Sequence, residues 1–155
     1  MNLSELKITH KLKEKEINLR LEEFKKLEEK EMQKEFMFCI LTPQSNAKRG
    51  WEAVEQINKL ESFNEDKIRE ILKTKTRFHN NKTKYILEAK QLWNNLKSNL
   101  DNSNVKELRD YLSETVKGYG LKESSHFLRN IGKSNNQIAI LDRHILRNLQ
   151  ELKVI

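Results

Sequence analysis

The stretch V-K-G-Y-G-L-K-E-S-S-H-F-L-R-N-I-G, from Val116 to Gly132, indicates two helices joined by a tight turn. Glycine adopts backbone conformations with φ > 0, so two glycines two residues apart allow the sharp reversal that a helical hairpin needs. The backbone N–H groups of such a turn, with the start of the next helix, form a concave anion site. A DNA phosphate fits such a site without any reading of sequence, but a plain helix C-cap followed by a turn explains the same glycines.

Lys122 is the first chemical candidate, because it lies two residues after Gly120 in the first turn of the second predicted helix. The helix macrodipole disfavours a positive charge at that end, so this lysine should lose its proton more readily than a surface lysine. A neutral amine is the form that attacks a carbon centre. Taken alone, Lys122 is as well explained as a phosphate contact or a solvated side chain.

Asp142 is the second chemical candidate. It stands before Ile145 and Leu146, where the N-cap of a short helix is expected. The polar loop 132–137 could return the chain so that Asp142 lies beside Lys122. A carboxylate there could help to activate the amine and stabilise positive charge developing on a sugar. The alternative interpretation of Asp142 is a helix cap alone.

The composition favours an all-α fold in a single domain. The chain has 155 residues with only four glycines and one proline, which suits long helices better than a β-sandwich with frequent turns. Hydrophobic residues make up 36% of the chain, enough for a modest core. We predict one helical unit over residues 1–155, in which an N-terminal helical segment, 1–36, packs on a core, 37–155, with the hairpin at 117–121.

The distribution of charge predicts an anionic partner. The net charge is +7, yet residues 1–36 contain nine basic and nine acidic side chains, so the whole excess lies downstream. Around the glycine turn, basic residues outnumber acidic ones, which is the electrostatic footprint of a phosphate-binding surface.

The cysteine count and the hydropathy limit the possible cofactors and the cellular location. Cys39 is the single cysteine, so this chain alone forms no internal disulfide and no four-cysteine zinc or iron–sulfur cluster. We therefore predict no metal site or cofactor of that kind, and we interpret Cys39 as a buried small hydrophobe. No apolar run approaches the roughly 18 residues of a membrane span, which predicts a soluble, cytoplasmic protein without a membrane partner.

Helix start signals upstream predict the scaffold. Thr42 is a candidate N-cap with Pro43 at the first helical position, which predicts a helix to about Lys59. Gln44 and Ser45 would then lie in its first turn, with side chains free to face a ligand.

Two asparagines predict further helix starts. Asn64 should cap a helix that runs to about Lys75, and Asn104 should cap the helix that enters the glycine turn. The segment R-F-H-N-N-K, 77–82, should connect to a helix with one apolar face, made by Ile86, Ala89, Trp93, Leu96 and Leu100.

Five segments together carry a resemblance to a known family: F-C-I-L-T-P-Q-S, W-E-A-V-E, R-F-H-N-N-K-T-K-Y-I-L-E-A-K, the opening stretch, and A-I-L-D-R-H-I-L-R-N-L. The chain resembles the helix-hairpin-helix (HhH-GPD) DNA glycosylase superfamily, and within it the archaeal-type, or second, class of 8-oxoguanine DNA glycosylase/AP lyase. The resemblance implies the all-α HhH-GPD fold and a monomeric enzyme. Its substrate would be double-stranded DNA containing an oxidised guanine or an abasic site.

The resemblance also implies roles for individual residues. The Lys122 amine would attack C1′ of the damaged nucleotide, displace the base, form a Schiff base and allow β-elimination, with Asp142 as its acidic partner. The nucleotide must leave the duplex for this chemistry. The hairpin would bind phosphates through Lys117, Gly118, Tyr119 and Gly120, and in this family it often holds a monovalent cation on backbone carbonyls. Two other segments would also contact DNA, one through Gln44 and Ser45 and the other through Arg143 and His144.

Members of this family continue past the point that corresponds to Ile155, with helices that help to enclose the base pocket. We therefore expect this chain to lack that segment. Two alternatives to the bifunctional enzyme follow, namely a truncated chain with AP-lyase activity only and a non-catalytic helix-hairpin-helix DNA-binding module. His126, on the lysine helix, is interpreted as a packed or hydrogen-bonded histidine.

Overall fold

Helices make up most of the structure, a computed structural model that describes residues 2–101 and 104–155. This part of the chain contains eight α-helices and no strand, which confirms the all-α prediction: α1 (Leu3–Phe24), α2 (Glu29–Leu41), α3 (Ala47–Asn58), α4 (Glu65–Lys75), α5 (His79–Lys97), α6 (Val105–Thr115), α7 (Leu121–Asn130) and α8 (Arg143–Glu151). None of these helices combines the length and the apolar character that crossing a membrane requires.

The N-terminal segment is a helix pair. Asn2 caps α1 by accepting a hydrogen bond from the Glu5 N–H (2.9 Å), and the Glu5 carboxylate accepts one from the Asn2 N–H in return (2.9 Å). Most of α1 is exposed, but Phe24 at its end is buried beneath the Arg20 guanidinium, 4.7 Å from its ring centroid. Through this end α1 packs against α7.

Helix α2 is the centre of the core. Its last six residues, 36–41, are all buried, and α3, α5 and α7 pack around it. The Phe36 ring lies 5.3–5.4 Å from the rings of Trp93, Tyr119 and Phe127. Cys39 is fully buried here, and burial raises the pKa of its thiol well above the usual value, which confirms its interpretation as a small core residue.

The predicted start of α3 at Thr42 is wrong. Thr42 instead ends α2, because its N–H donates to the Phe38 carbonyl (3.1 Å). The N-cap is Asn46, whose side chain accepts from the Arg49 N–H (3.2 Å). Residues 42–46 therefore form a loop between two helices, while the predicted helix end near Lys59 is confirmed.

The other predicted caps are confirmed. The Asn64 side chain accepts from the N–H groups of Asp66 and Lys67 and starts α4, and that of Asn104 accepts from the Glu107 N–H and starts α6. Residues 102–103 of the predicted turn lie outside the described residues.

Helix α5 begins earlier than predicted, at His79, and absorbs most of the R-F-H-N-N-K segment. Its predicted apolar face is confirmed, since all five members are at most 4% exposed: Ile86, Ala89, Trp93, Leu96 and Leu100.

Candidate active site

The predicted hairpin joins α6 to α7 through residues 116–120. Gly118 has φ = 90°, and a Cβ there would lie 2.9 Å from Tyr85 Cδ2, so both its conformation and the space around it select glycine. Gly120 has an ordinary extended backbone and is the N-cap of α7. Of the two glycines, the first is therefore the one that the turn requires.

Tyr119 anchors the hairpin to the core. Its side chain is 7% exposed and its hydroxyl donates to the Phe36 carbonyl (2.8 Å). Because the side chain is buried in this way, the predicted DNA contact at Tyr119 remains a prediction for its backbone.

Lys122 lies in the first turn of α7, as predicted, with its side chain 33% exposed. Its Nζ is 3.0 Å from Glu123 Oε1, and the other carboxylate oxygen of Glu123 accepts from the Gly120 N–H (3.1 Å). Glu123 is thus the carboxylate in contact with the amine, a position for which the sequence predicts Asp142. The sequence signal that could have identified Glu123 was its position three residues after the N-cap, where an acidic side chain reaches back to the cap.

Asp142 caps α8, as predicted, by accepting from the N–H groups of His144 and Ile145 (both 2.9 Å). The Ile145 N–H contributes most to lowering the pKa of the Asp142 carboxyl, and the positive charge of Lys122 acts in the same direction. The cap geometry therefore holds Asp142 ionised and within electrostatic reach of the amine.

The basic side chains around the hairpin are partly compensated. Lys117 pairs with Glu88 of α5 (3.1 Å) and Lys133 pairs with Asp101 (2.7 Å), so acids from elsewhere reduce the local excess that the sequence predicts. Pairs between exposed side chains are weak, and a phosphate can compete for either lysine. Arg143 and His144 are exposed in the first turn of α8.

Gln44 and Ser45, the two side chains predicted to face a ligand, have different environments in loop 42–46. Gln44 is exposed with φ = 52°. The Ser45 hydroxyl instead contacts Thr76 Oγ1 and accepts from Lys82 Nζ (2.8 Å). The prediction that Ser45 is free to bind a ligand is therefore wrong, because a buried amine occupies its hydroxyl.

Phe78 is a candidate that the sequence reasoning missed. It precedes α5 with φ = 56°, an uncommon conformation for an aromatic residue, and its side chain is 55% exposed. Phe78, Gln44 and Gly118 line one cavity of about 240 Å³, which places loop 42–46 and the hairpin side by side. The signal in the sequence was an aromatic residue set among polar and basic ones, R-F-H-N-N-K.

A larger cavity, of about 910 Å³, lies between α1, α2, α3 and α7. His126, one helical turn beyond Lys122, lines it together with Phe38, Trp51 and Glu35. Burial lowers the pKa of His126 to about 4, and its ring packs against Phe38 at 5.9 Å, which confirms the prediction of a packed histidine. Burial also raises the pKa of the Glu35 carboxyl.

Comparison with known proteins gives a consistent result. A sequence model of the 8-oxoguanine DNA glycosylase family matches residues 17–155. The 8-oxoguanine DNA glycosylase/AP lyase of Fusobacterium nucleatum is 41% identical over 154 residues, which cover 88% of this chain and 68% of the relative. That of Sulfurisphaera tokodaii is 39% identical over 141 residues, with 86% and 68% covered.

Solved structures agree with the sequence matches. The crystal structure of Methanocaldococcus jannaschii 8-oxoguanine DNA glycosylase superposes with a TM-score of 0.84 at 34% identity, covering 98% of this chain and 73% of that one. The complex of the same enzyme with a 15mer DNA containing 8-oxoguanine gives a TM-score of 0.80 at 35% identity, with 94% and 74% covered. The chain therefore belongs to the 8-oxoguanine DNA glycosylase family, whose helix-hairpin-helix fold it shares.

Proposed function

We propose that this chain is a bifunctional base-excision repair enzyme that removes 8-oxoguanine from duplex DNA and cleaves the abasic strand by β-elimination. The observation that carries the proposal is the position of Lys122, in the first turn of the helix after the hairpin, with Glu123 on its amine. The charge of Asp142 lies within reach of the same amine. The names of the relatives, glycosylase/AP lyases, support the same reaction class.

In this proposal Lys122 is the nucleophile. Its ammonium first passes a proton to Glu123, and the neutral Nζ then attacks C1′ of the damaged nucleotide. The C1′–N9 bond breaks and its electron pair leaves with the base, which takes up a proton. Asp142 stabilises the positive charge that develops on the sugar during this step.

The lyase step follows from the covalent adduct. The sugar ring opens, so that C1′ and the lysine nitrogen form a protonated Schiff base. A general base then removes a proton from C2′, and the 3′ phosphate is expelled. Water hydrolyses the imine, releases Lys122 and completes the cycle.

We propose a DNA-binding surface on the basis of the same geometry. The hairpin and the first turn of α7 present backbone N–H groups and Lys117 to a phosphate, and Arg143 and His144 extend this surface from α8. Backbone carbonyls of the hairpin are the donor type that a monovalent cation uses, so its residues fit such an ion. Among the described residues, no group of three or more His, Cys, Asp or Glu side chains could hold a metal.

We propose that one cavity lies beside the gap that the flipped nucleotide leaves in the duplex and that the other receives the flipped base. Gln44 and Phe78, exposed on adjacent loops, are placed to enter the gap in the duplex, where the Phe78 ring can stack on a base. The 910 Å³ cavity, one helical turn from Lys122, is large enough for a purine and has the aromatic walls Phe38 and Trp51. We propose that the enzyme acts as a monomer in the cytoplasm, on the nucleoid, where its DNA substrate lies.

Borohydride trapping tests the proposal on two duplexes, one with 8-oxoguanine and one with an abasic site. A covalent adduct with both supports the bifunctional enzyme, whereas an adduct with the abasic duplex alone reduces the activity to that of an AP lyase. An adduct with neither leaves a non-catalytic DNA-binding module.

The nucleophile is tested by Lys122→Gln, which should abolish trapping while salt-dependent DNA binding persists, because non-specific affinity comes from many phosphate contacts. Lys84→Gln is the matched control. It removes an exposed lysine on α5 and should leave trapping intact. Trapping by the Lys122→Gln chain would place the nucleophile elsewhere.

A further inference from the structure

A second lysine, Lys82, has an unusual environment. It is the fourth residue of α5 and only 4% exposed. Its Nζ lies within hydrogen-bond distance of four neutral oxygens: Leu41 O (3.0 Å), Pro43 O (2.7 Å), Ser45 Oγ (2.8 Å) and Thr76 Oγ1 (2.6 Å). An ammonium has three protons and a neutral amine two, so the charged form satisfies this set of acceptors better.

The acceptors around Lys82 are all uncharged. A buried charge is normally paired with an opposite charge, since desolvation is expensive. Burial lowers the pKa of Lys82 to about 8, so most molecules still carry the charge at neutral pH. Among the ionisable groups nearby, Tyr85 lines the same cavity, and Lys75 at the end of α4 is paired with Glu52 of α3 (2.8 Å).

The four oxygens join two separate loops. Leu41 O ends α2 and leads into loop 42–46, while Thr76 belongs to the connection between α4 and α5. These loops carry Gln44 and Phe78, which are both exposed and both have positive φ. Such conformations are strained and persist only when the surroundings hold them. Lys82 bonds to both loops from within, beside the direct contact between Ser45 Oγ and Thr76 Oγ1.

We propose that Lys82 is a positioning residue that holds loop 42–46 and the α4–α5 connection in register, so that Gln44 and Phe78 enter the duplex together. This role rests on the proposed function and concerns nucleotide flipping rather than bond breaking. Lys82 touches neither Lys122 nor Asp142 in the hydrogen-bond and ion-pair network of the described residues. Its loss should therefore separate flipping from chemistry.

The activity test compares two substrates for Lys82→Met, a substitution of similar length. Excision of 8-oxoguanine from a duplex should fall by about 10- to 100-fold, the cost of misplacing groups by about an ångström. Cleavage of an abasic site in single-stranded DNA, which needs no flipping, should be nearly unchanged. In the unchanged chain duplex excision should also decline above about pH 8 as Lys82 is deprotonated, and Lys82→Met should lack this decline.

Flipping is measured without chemistry in the Lys122→Gln background, from the fluorescence of 2-aminopurine placed beside 8-oxoguanine in the duplex. Adding Lys82→Met should reduce the fluorescence rise on binding. Lys84→Met, which removes a charge from an exposed position two residues further along α5, is the control and should not reduce it.

Three results would overturn this role. They are an equal loss on both substrates, no loss on the duplex, or a fluorescence rise that Lys82→Met leaves unchanged. If the unchanged chain neither excises nor traps, the proposed function fails on its own. The fluorescence comparison then decides the role of Lys82, supporting it if the rise is reduced and refuting it if not.

Discussion

Raising the pH from 7 to 10 should stabilise the folded chain through Lys82. The pKa of Lys82 is about 8 in the folded chain against 10.5 for an ordinary lysine. Between these values the unfolded chain holds a proton that the folded chain has released, so the free energy of unfolding rises with pH. The whole pKa difference corresponds to about 3 kcal/mol, most of which falls between pH 7 and pH 10.

The assay is urea unfolding of the unchanged chain and of Lys82→Met at a series of pH values across this range. Other lysines and the tyrosines titrate in both proteins, so the difference between the two free energies isolates Lys82. The size of this difference at pH 7 is a poor diagnostic, because removing a buried charge and removing the hydrogen bonds of Lys82 act in opposite directions. Its slope with pH depends on the titration alone.

A flat difference between the two chains across this pH range would refute the reasoning, because it would mean that Lys82 titrates as an ordinary lysine. Lys84→Met is the matched control, and its difference from the unchanged chain should stay small at every pH. The predicted gain in stability coincides with the predicted loss of flipping above pH 8. A general loosening of the fold cannot explain opposite signs, so the two measurements together distinguish positioning from stability.

Three further substitutions test the hairpin and the core. Gly118→Ala should lower the free energy of unfolding by about 1 to 3 kcal/mol in urea titrations, because its φ is 90° and its Cβ would meet Tyr85 at 2.9 Å. Tyr119→Phe should cost about 1 to 2 kcal/mol by calorimetry, because the buried Phe36 carbonyl loses its donor. Lowering the pH from 7 to 4 should destabilise the chain by up to about 3 kcal/mol through His126, whose folded pKa of about 4 lies below the ordinary 6.5, and His126→Phe should remove this part of the acid sensitivity.

Each of these has its own control. Gly120→Ala adds the same methyl group at a residue with an ordinary φ, so it should be milder than Gly118→Ala, and equal effects would contradict the conformational argument. A Tyr119→Phe chain as stable as the unchanged one would show that its hydroxyl contributes nothing. An acid unfolding curve that His126→Phe leaves unaltered would mean that His126 is protonated in the folded chain.

The fold was predictable where tertiary packing does not override the local signals of helix caps and apolar faces. Asn64 and Asn104 have the right residue type at the start of an apolar periodicity, and both cap the helices they predict. Thr42 has the right type and a following proline, yet it lies where the buried end of α2 continues. Burial of residues 36–41 extends that helix to the proline, so tertiary packing overrides the local signal.

Only those features of the candidate site that depend on residues close together in the sequence were predictable. The positions of Lys122 and Asp142 in their helices follow from caps and turns, since each depends on a few neighbouring residues. The contacts of Lys82 join segments that lie 37 to 41 residues apart along the chain, and no periodicity or cap signal encodes such a meeting.

Two lysines near the starts of helices illustrate how partners rather than position decide a role. The macrodipole of its own helix disfavours positive charge at Lys122 and at Lys82 alike. Lys122 is paired with the carboxylate of Glu123 at a partly exposed surface, where we propose that it acts as the nucleophile. Lys82 lies against the C-terminal carbonyls of α2, where the dipole of that helix favours a cation, and is closed off from solvent. The same side chain is therefore suited to chemistry at one site and to holding loops in place at the other.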